Sequence, residues 1–162
     1  MTDEPNRDRD PAGRPLNARP RDELGRPLPR GAAGVEPLPE VIDLSPDQTL
    51  VLAQRLLDEG RPFQAHEVLE SAWKSAPATE RDLWQGLAQI AVAVTHAKRG
   101  NTEGAATIME RARTKIAPYS AEPPYSIDVR SLIDWCDKAL IELPKPSDSI
   151  GTPVLCQRGP SA

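Results

Sequence analysis

RDLWQGLAQIAVAVTHAKR, residues 81–99, is the stretch whose reading decides the fold. Laid out at about 100° per residue, Leu83, Trp84, Gly86, Leu87, Ala88, Ile90, Ala91, Ala93, Val94 and Ala97 fill most of a helical circumference. Gln85, Gln89 and His96 fall within about 40° of one another, with Val92 beside them. A helix that is apolar around most of its surface is a buried helix. The stretch therefore predicts a central helix with two amides and one imidazole along a single line. Two readings of that line compete. It is either a narrow solvent stripe, flanked by Arg81 and Arg99, or one wall of a pocket inside the fold. A surface helix carries a much wider polar face, which favours the pocket.

The flanking sequence predicts four more helices. Ser45-Pro46-Asp47-Gln48 starts the first, with Ser as cap, Pro at the first helical position and Gln three residues after the cap. Leu50, Ala53, Leu56 and Leu57 are its apolar face, and Gly60 stops it. The second runs from Pro62 to about Ser75, with Ala65, Val68, Leu69, Ala72 and Trp73 in one stripe. Thr79 and Asp82 suggest a capping box for the central helix. Gly100-Asn101 separates it from a fourth over Thr102 to Ala117, faced by Ala105, Ile108, Met109, Ala112 and Ile116. Ser126 is expected to cap a fifth, with Val129, Leu132, Ile133, Cys136 and Leu140 buried. No segment alternates with a strand's period. The expected fold is all-α, an antiparallel helical bundle of about five helices over residues 45–143. Residues 1–44 and 144–162 are rich in proline and charge, lack periodicity, and read as disordered tails. Within the first of them, the run Arg14 to Pro20 reads as an extended linker.

Charge and cysteine use exclude several classes. The net charge is -4 and the pI near 5.3, and no Lys/Arg block forms a phosphate track, so no nucleic-acid partner is expected. Cys136 and Cys156 are not clustered, which fits a reducing compartment and no disulfide framework. No stretch approaches the roughly 18 apolar residues of a membrane span, and the N-terminus has no signal-peptide core. A soluble, cytoplasmic protein with no membrane partner is expected. Oligomeric state is left open by the sequence.

His66 and His96 are the two histidines of the chain. His66 and Glu70, four residues apart, share a helix face. In an antiparallel pair turning near Pro77, Glu70 comes level with about Gln85 and His66 with about Gln89. The candidate ligand-binding set is therefore His66, Glu70, Gln85, Gln89 and His96. Its plain counterpart is a solvated Glu70–Lys74 pair and a half-buried His66 bonded to backbone. Trp73 and Trp84 read as core. His66-Glu67-x-x-Glu70 is a variant of the zincin pattern, in which two imidazoles hold zinc and the Glu is a base. On that alternative, a metal-dependent hydrolase uses His66, Glu70 and His96 as ligands of zinc or iron and Glu67 as candidate catalytic base. The leading reading is non-enzymatic, with no cofactor and with a small polar ligand or a protein segment as partner. Its basis is that Gln85 and Gln89 both give and accept hydrogen bonds.

Three blocks carry a family resemblance: Phe63-x-x-His66-Glu67-x-x-Glu70-x-x-Trp73, Trp84-Gln85-Gly86-x-x-Gln89-x-Ala91, and His96-x-x-x-Gly100-Asn101-x-x-Gly104-Ala105. In order and spacing, over about residues 50–117, they resemble the domain of unknown function 309 family of bacteria and plants. The resemblance implies a small all-helical fold and marks His66, Glu67, Glu70, Trp73, Gln85, Gln89 and His96 as pattern positions. It implies no reaction. Ala88 stands where the family more often has a bulkier aliphatic residue. Ala105, Met109, Ala112 and Pro118 approximate the second helix of a tetratricopeptide repeat, but one unit is visible where arrays need about three.

Overall fold

The structure is a computed structural model that describes residues 20–29, 31–39, 42–144 and 150–157. Five α-helices follow one another: α1 Pro46–Asp58, α2 Pro62–Ser75, α3 Arg81–Lys98, α4 Thr102–Ile116 and α5 Val129–Glu142. Two single 3-10 turns, Ala117–Tyr119 and Pro124–Ser126, lie between α4 and α5. There is no strand among the described residues, only the isolated bridges Arg21–Pro27 and Ile127–Cys156. The all-α class read from the sequence holds. No helix is long and apolar enough to cross a membrane, among the described residues.

Local chemistry explains most boundaries. At α1 the capping box forms in both directions: Gln48 N donates to Ser45 Oγ at 3.2 Å and Ser45 N to Gln48 Oε1 at 3.0 Å. Gly60, at φ +73°, takes the left-handed conformation that ends the run. Asn101 Oδ1 accepts from Gly104 N at 3.1 Å and so opens α4.

Two expected caps are corrected. Glu80, not Thr79, stands at the N-cap of α3, and no side chain caps that end. The Glu80 carboxylate instead accepts from Trp84 Nε1 at 3.1 Å and from the Tyr125 hydroxyl at 3.0 Å. The Thr79 carbonyl accepts from the Tyr119 hydroxyl at 2.8 Å. Both tyrosines thus tie the α2–α3 loop to the α4–α5 connection. The second correction is Ser126, which does not cap α5. Asp128 does, through Ser131 N at 3.2 Å. The reason is non-local: Ser126 O and Asp128 N are taken by Gln157 N at 2.9 Å and Leu155 O at 2.8 Å. Tyr125 and Ser126 have φ of 56° and 61°. Left-handed backbone costs a residue with a side chain about 1–2 kcal/mol, and the Glu80 and Gln157 bonds hold both residues there.

α3 makes its main contacts with α2 and α4, and α2 also packs on α1. Leu83, Leu87, Ile90, Ala91 and Ala93 on α3 are fully buried, as Trp84 nearly is. Small residues let the neighbouring helices come close. A Cβ on Gly86 would lie 2.5 Å from Ile116 Cγ2 and 3.3 Å from the Ala112 carbonyl oxygen. The apolar faces of α1, α2, α4 and α5 are buried as their spacing predicts, except that Ala72, Trp73, Ile108, Ile133 and Leu140 are half-buried at the edges.

Of the two segments read as disordered tails, residues 1–19, 30, 40–41, 145–149 and 158–162 lie outside the described residues, and the Arg14–Arg19 run with them. The described parts touch the helices. Ile150 and Leu155 are buried in the core, and Gln54 holds the backbone around Leu155 through Pro153 O at 3.1 Å and Leu155 N at 2.9 Å. Leu155→Ala is expected to lower the unfolding free energy by about 2–4 kcal/mol, because it empties a closed site. Val154→Ala, at an exposed neighbour, should stay within about 0.5 kcal/mol. Urea denaturation of the two variants measures the difference.

Candidate functional site

His66 and Glu70 meet on one face of α2, as their spacing requires. His66 Nε2 lies 3.2 Å from Glu70 Oε2, and Lys74 Nζ lies 3.3 Å from Glu70 Oε1. Glu70 therefore serves both readings of the sequence at once: it faces the imidazole and pairs with the next-turn lysine. His66 is half-buried against the Phe63 ring, with centroids 5.6 Å apart. Its Nδ1 is buried without a hydrogen bond of good geometry, while the Phe63 carbonyl, one turn back, lies close enough to attract the ring's proton.

On α3, Gln85, Gln89 and His96 are all half-buried, as is Val92, in a helix otherwise buried from Leu83 to Ala97. The narrow polar row is thus real, and it lies at the edge of the buried surface rather than in open solvent. Gln89 Oε1 is itself buried without a partner. His96 is different. Its Nδ1 lies 3.1 Å from Asn101 Nδ2, and its carbonyl accepts from Asn101 N at 2.9 Å. That places His96 at the α3–α4 turn, on the residue that caps α4.

The residues of the metal reading are not brought together. No three His, Cys, Asp or Glu side chains are grouped to hold a metal ion among the described residues, so His66, Glu70 and His96 do not form a ligand set. One imidazole is committed to Glu70 and the other to the α3–α4 turn. Glu67, the candidate base of that reading, points elsewhere. It lines a cleft between α2 and the proline-rich segment, together with Phe63 and Gln64.

Gln64 was not singled out by the sequence, and it is the most buried polar residue of α2. Its Nε2 donates to the Glu36 carbonyl at 2.6 Å, and its Oε1 is buried without a partner. The available signal was position: on a helical wheel Gln64 falls about 40° from Val68, at the margin of the apolar stripe. Arg61, at the N-cap of α2, also donates to the Glu36 carbonyl, at 3.1 Å.

Burial shifts two of these groups in opposite senses. Desolvation pushes the His66 imidazole below its ordinary 6.5, against the pull of the Glu70 carboxylate and the Phe63 carbonyl, with Lys74 adding to the depression. Desolvation raises the Glu67 carboxyl above 4.5; Arg21 opposes this and Glu70 adds to it. The Glu70 carboxylate and the Phe63 carbonyl are both acceptors, and each favours a proton on the imidazole nitrogen that faces it.

Fold and site together define a small all-helical domain in which the neighbouring helices α2 and α3 each carry half-buried polar side chains. Residues 50–108 match the model of the family described as Domain of unknown function (DUF309), and the resemblance read from the three motif blocks is shown over that segment. The chain is also 46% identical over 48 residues to the uncharacterized protein YpuF of Bacillus subtilis (strain 168), a match that spans 29% of this chain and 28% of that protein. No solved structure matches.

The two shifts give opposite pH slopes. Between the depressed folded value and 6.5 the unfolded chain binds the His66 proton first, so stability falls as pH is lowered through that window. For Glu67 the unfolded chain ionises first as pH rises above 4.5, so stability falls as pH rises toward the raised folded value. Urea unfolding across this range should show the first slope abolished in His66→Gln and the second in Glu67→Gln.

Proposed function

We propose that this chain is a non-enzymatic binding module, and that its ligand docks on the polar row of α2 and α3 formed by His66, Glu70, Gln85 and Gln89. The observation that supports it is Gln89 Oε1, a buried acceptor without a partner on the helix that packs against α2. A buried polar atom without a partner costs about 1–3 kcal/mol. A closed structural network would have paired this atom, and a plain solvent stripe would have left it wet. The fitting ligand is therefore a small polar molecule or peptide group that presents N–H or O–H donors. His96 stands apart from this site, as a cap partner of Asn101.

Gln89→Leu separates binding from packing. It removes an unsatisfied acceptor from a mostly apolar helix, so it is expected to raise unfolding stability by about 1 kcal/mol. The same variant is expected to lose ligand. The full chain, titrated with pools of small amines, amides and polyols and followed through the His66 ring protons by NMR, should respond saturably to a donor-bearing pool, and Gln89→Leu should not. If no pool moves the His66 signals, or if Gln85→Leu with Gln89→Leu binds as the parent does, the row is a packing detail and the proposal is wrong.

A further inference from the structure

The described part of the proline-rich segment is laid against the family-motif face of α2, and its backbone carbonyls make the polar contacts. Arg99 Nη2 donates to the Leu24 carbonyl. Arg61 and Gln64 both donate to that of Glu36. Gly25 sits on the face of the Phe63 ring, where a side chain would collide with it. Asp22 folds the segment back on itself, accepting from Leu24 N at 3.0 Å and Arg26 N at 2.8 Å through Oδ1.

Between this segment and α2 is a cleft of about 420 Å³, within the size range of small-molecule sites. Val35, Leu38 and Phe63 contribute apolar wall, and Arg21, Gln64 and Glu67 contribute polar groups. Two of those polar groups await a donor. Because Gln64 Nε2 is tied to Glu36, its amide cannot turn over, and Oε1 is held as an unpartnered acceptor in a residue 5% exposed. Glu67, half-buried, makes no hydrogen bond among the described residues, and the Arg21 charge on the same wall already favours its ionised form. The guanidinium on the wall is engaged, with Arg21 Nη1 donating to the Gly25 carbonyl at 2.7 Å. Asp22 also lines the cleft, with its Oδ2 paired to Arg26 Nε at 2.7 Å.

We infer that this cleft binds a small organic cation with an apolar body, an aromatic or branched aliphatic amine or amidine. Its N–H groups face Glu67 and Gln64, and its body lies against Phe63, Leu38 and Val35. A cationic head compensates the carboxylate that burial disfavours. The site shares no lining residue with the α2–α3 row, so either can fail without the other.

Benzamidine is the probe, with benzamide as its neutral and benzoate as its anionic counterpart, each titrated into the full chain and followed by amide NMR. Benzamidine is expected to shift the Val35, Phe63 and Glu67 amides saturably at millimolar concentration, benzamide more weakly, and benzoate not at all. Glu67→Gln keeps the shape and is expected to weaken benzamidine at least about tenfold, or about 1.4 kcal/mol. Val35→Trp, which fills the cleft, should abolish binding while leaving the His66 ring protons in place. No saturable shift at these amides, equal binding of benzoate, or benzamidine affinity unchanged in Glu67→Gln overturns the assignment.

Discussion

The rest of the fold depends on the burial of α3. Leu83, Leu87, Ile90, Ala91 and Ala93 are closed off from solvent on a helix that must satisfy two neighbours at once. Small side chains make that feasible, since Gly86 and the alanines let α2 and α4 approach where larger residues would hold them apart. The same constraint confines the polar groups of α3. With most of the circumference buried, Gln85, Gln89 and His96 have one edge left to occupy, and they occupy it together.

α2 packs against α3 and carries polar side chains of its own. Gln64 on α2 and Gln89 on α3 each leave a buried amide oxygen unpartnered. Buried polar groups in folded proteins are overwhelmingly paired. Each such exception marks a place where stability has been given up, and recognition of a ligand is a physical reason for doing so. The proline-rich segment covers a separate part of α2, around Phe63, Gln64 and Glu67, through its main chain.

Much of this was legible in the residues. The capping box at Ser45, the stop at Gly60 and the apolar stripes of α1 and α4 are local events, and each came out as its spacing indicates. So did the contact between His66 and Glu70, one helical turn apart. The misread features were set from a distance. Ser126 fails to cap α5 because the backbone around Leu155 claims it. Glu80 gives its carboxylate to Trp84 and to Tyr125, forty-five residues on, rather than to a helix end. His96 has the right place on a helical wheel for the polar row, yet the α3–α4 turn brings Asn101 to it first.

By itself the sequence determined the class of fold, the order of the helices and the face each one buries, because apolar period, caps and breakers act within a few residues of one another. Only the tertiary structure decided that His66 and His96 serve different places, that Gln64 is a buried polar residue, and that residues 20–29, 31–39 and 150–157 lie on the helices. Those outcomes turn on the rotation and register of whole helices and on chain that returns from far along the sequence, and no local pattern encodes where such a segment comes to rest.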